Sequence, residues 1–185
     1  MSTGKFKSSV TENIQMAITN AHNKSKINNI FYLNNNSKEV LPKKFIIGST
    51  LWSDHSKSIT SNKRELNDFY NLINKEHSKS VDFIRCEINK IIWHTKLPNI
   101  TVLTHYLPTY KLVSDNYKDL NDFNPAQNER YYSNQEHLIK YPVKNWLCGH
   151  SHTNMDIVIN SVNLGINCFH NNTNNSLVKL KYVEL

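Results

Sequence analysis

Apolar residues recur along this chain in two rhythms. In "SSVTENIQMAITNAH", Val10, Ile14, Ala17, Ile18 and Ala21 keep the three-and-four spacing of a helix face, and Ser9 with Glu12 forms a capping box. The pattern predicts an amphipathic helix that follows a polar tail over residues 1–8. "NIFYL", the polar "NNNSKEVLP" and "KKFIIGSTLW" read as strand, connection and strand, and the unbroken Phe45, Ile46, Ile47 suits a strand covered on both faces. Leu66, Phe69, Tyr70 and Ile73 predict a helix from Asn62 to Lys75. Val81, Ile84, Ile88 and Ile91 predict a separate one from Lys79 to His94.

"PNITVLTHYLP" reads as a short apolar strand ending at His105. Tyr106 to Arg130 is polar and long for a connection in a compact domain, which marks it as a functional loop and the place where substrate choice would reside, together with the segment after Trp52. A short helix over Ser133 to Ile139 leads into "VKNWLCGHSH", again a strand followed by a polar loop. "MDIVINSVNLGINCF" predicts two strands with a turn at Asn160-Ser161, and "LVKLKYVEL" a final strand. Helices alternating with buried strands give an α/β fold, a mixed sheet with antiparallel C-terminal strands, in a single domain over residues 9–185. There is no internal repeat.

Composition changes this picture little. The 185 residues suffice for one domain with a real core. Abundant asparagine and lysine beside only four glycines suggest AT-rich coding. The net charge of +7 suits an anionic partner, yet the basic residues occur as pairs such as Lys43-Lys44 and Lys63-Arg64 and never as a tract, so a solvated lysine surface accounts for it. With no recognisable nucleic-acid-binding motif, nucleic acid ranks last among partners. Cys86, Cys148 and Cys168 are odd in number and widely spaced, which excludes a zinc ribbon and a disulfide scaffold. Reduced thiols, no signal-peptide core and no apolar run of membrane-spanning length lead to the expectation of a soluble, cytoplasmic protein with no membrane partner.

The chemistry concentrates in "NWLCGHSHTNMD". Two histidines at i and i+2 of an extended segment project to the same side, so His150 and His152 are expected to face one cleft. His105 likewise ends a strand and opens a polar loop. Ligands of open α/β sheets bind at the carboxyl ends of strands, where all three would lie. Imidazole suits Zn, Mn, Fe or Ni without choosing among them. Any one strand-end histidine is ordinarily a hydrogen-bonded residue; the Gly-His-x-His spacing with a third strand-end His is what raises a metal or phosphate site. His22, His55, His77, His94, His137 and His170 lack such context and are assigned to no metal.

At these residues the chain resembles the calcineurin-like metallophosphoesterases. "ITVLTHYLPT" (100–109) resembles the strand and loop that carry the family's single metal-binding His. "WLCGHSHTNMDIVINSVNLGINC" (146–168) resembles its Gly-His-x-His block and the strand pair after it. "KFIIGSTLWS", "LNDFYNLI" and "YYSNQEHLIKYPVKNW" are weaker similarities that extend the likeness over nearly the whole chain. The resemblance implies an αββα sandwich and hydrolysis of phosphate mono- or diesters with two adjacent divalent ions, which activate water and neutralise developing charge. It implies that His105 and His150 ligate one metal and His152 the other.

The family's D-x-H, G-D-x-x-D and G-N-H-[DE] motifs are absent, since the four glycines precede Lys5, Ser49, His150 and Ile166, and no Asp has a His two positions on. Those motifs would supply the bridging carboxylate, the Asn ligand and the His that assists the leaving group, so no catalytic residue is assignable. The opening helix, Val10 to Ala21, resembles the one that follows the third motif. The expectation is therefore a truncated member with an incomplete sandwich, its N-terminal half either encoded separately or lost to a wrong start codon. Three neutral imidazoles leave two facing divalent ions unscreened, so a dinuclear centre requires the missing ligands, whereas a single ion does not. The competing expectation is a non-catalytic remnant that serves as a binding or interaction module.

Overall fold

The computed structural model of the chain describes residues 13–14, 16–20, 30–55, 64–114, 131–151 and 153–166, with the side chains of 64–68 excepted. The chain divides into two compact units, 1–34 and 35–185. In the first, the described positions between 13 and 20 are helical, as the opening periodicity predicts, and residues 30–33 have no regular structure where "NIFYL" predicted a strand.

Among the described residues the second unit is built on one six-stranded mixed sheet, with β1 (Asn36–Leu41), β2 (Lys44–Ser49), β3 (Asn99–Thr104), β4 (Val143–Cys148), β5 (Met155–Ile159) and β6 (Val162–Ile166) in the spatial order β1-β2-β3-β4-β6-β5. The four central strands β2, β3, β4 and β6 run parallel, and β1 and β5 flank them antiparallel. The α/β class and the antiparallel pair near the C-terminus are as expected. β1 forms from the stretch read as a connection. Its polar composition suits an edge, where most of its side chains meet solvent and charge discourages further pairing. The β5–β6 turn places both Asn160 and Ser161 at positive φ, as a type I′ hairpin requires.

Among the described residues between β2 and β3 one continuous helix, α1 (Arg64–His94), spans the region where two were expected. Nothing between these bounds breaks it, since the segment lacks Gly and Pro. The polar residues at the presumed break are accommodated locally: Ser78 Oγ donates to the Asn74 carbonyl (3.0 Å) and Ser80 Oγ to that of Glu76 (2.9 Å). The inner stripe therefore continues from Ile73 through His77 and Ser80 to the buried Ile84, Ile88 and Ile91. Those isoleucines share one core cluster with Ile47, Ile100, Val102, Trp146 and Leu164 of the sheet. Ser37 of β1 also donates to Glu87 of α1 (2.7 Å). The predicted helix over Ser133–Ile139 is a single 3-10 turn, Glu136–Leu138. The predicted final strand, Cys168 and His170 lie outside the described residues.

A polar ladder crosses the other face of the sheet. Thr101, Asn145 and Asn163 occupy matched positions on β3, β4 and β6. Asn145 Nδ2 donates to Thr101 Oγ1 (3.2 Å) and its Oδ1 accepts from Asn163 Nδ2 (3.2 Å). Thr101 and Asn145 are buried, so each bond satisfies a group that would otherwise be desolvated without compensation. Asn145→Ala is expected to cost about 1–3 kcal/mol, measured as a lower urea midpoint at unchanged slope. An unchanged midpoint would show that the ladder is dispensable.

Candidate functional site

The parallel arrangement brings the carboxyl ends of β2, β3 and β4 to one edge, and backbone hydrogen bonds lace the three exits together. The Thr50 carbonyl, just past β2, accepts from the amides of both His105 and Tyr106 (3.2 Å each). The His105 carbonyl in turn accepts from the amide of Gly149, just past β4 (3.0 Å). A side-chain relay reinforces the middle exit: Trp146 Nε1 donates to Thr104 Oγ1 (3.0 Å), and that hydroxyl donates to the Tyr106 carbonyl (2.8 Å). Trp146 is fully buried in the core, so the β3 exit is tied to the most immobile part of the sheet.

On this frame His105 and His150 meet. Nδ1 of His150 lies 3.2 Å from Nε2 of His105, with ring centroids 5.0 Å apart and planes at 69°. In this contact one nitrogen donates and the other accepts. Expectation and structure differ in how His150 gets there. It is not in extended backbone: β4 ends at Cys148, His150 has φ +67°, and the Ser151 amide donates back to the Gly149 carbonyl (2.8 Å). An i to i+2 bond around a residue at that φ is a γ-turn of the strained hand, and such strain collects where a side chain must be aimed. The alternation argument that paired His150 with His152 therefore does not apply, and His152 itself lies outside the described residues. Among the described residues no group of three or more His, Cys, Asp or Glu is placed to hold a metal ion, so none of these joins the pair.

Aromatic rings surround the pair, and the sequence reading missed them. Tyr106 leans on His150 with centroids 4.2 Å apart, Tyr131 stands 5.7 Å from His150, and Trp52 stands 5.7 Å from Tyr106. Partial burial raises the Tyr106 phenol above its ordinary range, so it remains a neutral hydrogen-bonding group. The available signal was the position of Trp52 and Tyr106, each just past a predicted strand end at the histidine edge.

Two further histidines support the loops. His77 of α1 points Nδ1 at the Trp52 carbonyl, and since a carbonyl can only accept, that nitrogen carries the proton. His55 Nε2 pairs with Ser53 Oγ (2.9 Å), and the His55 amide donates to Asn74 Oδ1 (2.7 Å). Most of the predicted 106–130 loop, residues 115–130, lies outside the described residues, and the described segments on either side of it are joined. Leu107 and Ser133 exchange backbone bonds with the opposite flank, and Glu136 receives hydrogen bonds from Thr109 Oγ1 and Lys111 Nζ.

No protein-family model matches the chain, and no solved structure does. Among curated proteins it is similar to "Uncharacterized protein L509" of Acanthamoeba polyphaga mimivirus, 27% identical over 158 residues that cover 75% of this chain and 54% of that protein. The chain thus spans about half the length of this relative. No helix among the described residues is long and apolar enough to cross a membrane.

Two outcomes follow from this geometry. Because His150 sits at positive φ, His150→Gly should be more stable than His150→Ala by about 1 kcal/mol, both having lost the same ring. Equal urea midpoints would remove the strain argument. For Glu136, the hydrogen bonds from Thr109 and Lys111 hold the carboxyl below its usual value of 4.5. A depressed carboxyl pKa means the clasp is present at neutral pH and is lost as pH falls through that lower value. The amide resonances of Thr109 and Lys111 should therefore titrate with a midpoint under 4.5 and stay still in Glu136→Gln. A midpoint at or above 4.5 would contradict the assigned bonding.

Proposed function

We propose that this chain carries the histidine edge of a metal-dependent phosphate-ester hydrolase of the calcineurin-like metallophosphoesterase kind. The observation that carries the reading is the meeting of His105 Nε2 and His150 Nδ1 at 3.2 Å. These are the two residues that the resemblance assigns to one ion, and they come from the exits of neighbouring parallel strands. Imidazole nitrogens bound to a single zinc-like ion at about 2.0–2.1 Å each stand roughly 3.0–3.4 Å apart. That spacing suits one divalent ion once each ring turns its lone pair from the other nitrogen toward the ion and the proton of their mutual hydrogen bond is given up. Such an ion would polarise a phosphoryl oxygen and lower the pKa of water.

The residues of the chain do the remaining work. The strained turn at His150 and the Thr104 relay hold the two imidazoles in register. The Tyr106 phenol offers a neutral hydrogen bond beside the reacting phosphate. Among the described residues no carboxylate joins the pair to bridge a second ion. A dinuclear centre needs acidic ligands beyond the described residues. His152 is the residue that would then serve the second ion.

The absence of a third donor at the pair among the described residues favours one other reading, a non-catalytic binding or interaction module in which the His105–His150 contact is simply a hydrogen bond. Calorimetric titration of the purified chain with Zn(II) or Mn(II) separates the two. The hydrolase reading expects about one equivalent bound, an affinity at least roughly ten-fold weaker in His105→Ala and His150→Ala, and loss of binding on acidification, since imidazole must be neutral to ligate. It also expects slow metal-dependent release of nitrophenol from p-nitrophenyl phosphate or its diester, abolished by the same substitutions. Neither binding nor turnover would leave the binding-module reading standing.

A further inference from the structure

The geometry points to a substrate class for this edge: phosphate esters that carry a planar π-system next to the phosphate, of the nucleotide or aryl type. This inference rests on the reading of the His105–His150 pair as a phosphate-ester site. It comes from the company the pair keeps. Three large aromatic rings, delivered by three separate segments, form a chain of contacts that runs from Trp52 to Tyr106, across His150, to Tyr131. Trp52 follows β2, Tyr106 follows β3, and Tyr131 opens the segment after the long loop, so no shared element forces them together.

Trp52 and Tyr106 stand apart from the core cluster, and Tyr131 joins them while its other contacts pack against that cluster. Trp146, which packs the core, is fully buried, whereas Trp52, Tyr106 and Tyr131 all remain partly exposed at the edge. The interplanar angles of 37°, 39° and 46° tilt the rings gradually, and the spacings fall in the range in which π faces attract one another. A planar ring entering beside this series gains stacking on a π face, which a base or phenyl group can exploit and an aliphatic ester cannot match. An ion held by the neighbouring imidazoles would take the phosphate. One end of the ligand is thus specified by charge and the other by a π surface.

The test compares AMP, phenyl phosphate, ribose 5-phosphate and inorganic phosphate as ligands of the full chain, with and without Zn(II), by calorimetry. AMP and phenyl phosphate are expected to bind about ten-fold tighter than ribose 5-phosphate, the size of effect one stacked ring supplies. Trp52→Leu and Tyr131→Leu should erase that preference while leaving inorganic phosphate and zinc binding unchanged. Trp52→Phe and Tyr131→Phe, which keep a π face, should retain it, and they guard against a leucine variant that fails to fold. AMP equal to ribose 5-phosphate, with zinc and phosphate still bound, overturns this inference alone. An aryl preference without zinc binding supports the aromatic subsite and overturns the metal reading. No binding of any ligand overturns both.

Discussion

The hydrogen bond from the Gly149 amide to the His105 carbonyl is the constraint on which this edge depends. β3 and β4 are parallel neighbours, so their carboxyl ends lie side by side, but adjacency alone leaves the two exits free to diverge. This bond fixes the backbone of one histidine against the residue that precedes the other. The bonds from His105 and Tyr106 to Thr50 extend the same lacing to the β2 exit. What results is a rigid platform of three loops, the kind of support that holds reactive side chains to a narrow range of positions.

The platform is anchored from below and strained from above. Below it, Thr104 joins the buried Trp146 indole to the Tyr106 carbonyl, coupling the site to the core in which α1 and the sheet share their isoleucines. Above it, His150 takes a left-handed γ-turn and Leu51, fully buried just past β2, also has positive φ (+50°). Neither residue is glycine, and such conformations persist only where the surroundings over-determine them. Packing thus offsets local strain at two of the three exits. Strain at His150 is what brings its ring onto Tyr106 and its Nδ1 toward His105.

The fold was legible where local pattern and tertiary environment agree. The unbroken Phe45, Ile46, Ile47 announced β2 as a strand covered on both faces, the segments ending at His105 and before Gly149 read as strands, and the Asn160-Ser161 turn announced the β5–β6 hairpin. β1 was not legible because an edge strand can be almost wholly polar and owes its existence to the partner across from it. α1 was split in the reading because His77, Ser78 and Ser80 interrupt the apolar stripe. Their side chains satisfy local carbonyls and the loop at Trp52 instead of ending the helix. At the site, His105 and His150 were found by their place at strand ends. The aromatic wall was not, since contacts among Trp52, Tyr106, Tyr131 and His150 join residues far apart in sequence and follow no local period.

The account stands on the claim that two imidazoles from adjacent strand exits share one ion. Long-range proton–nitrogen NMR of the imidazole side chains observes the two atoms concerned directly. On addition of one equivalent of Zn(II), the account predicts that His150 Nδ1 and His105 Nε2 move together to the shifts of metal-bound nitrogen, while His55 and His77 stay unchanged. If both nitrogens keep the signature of a mutual hydrogen bond at saturating zinc, the pair is structural and the claim fails.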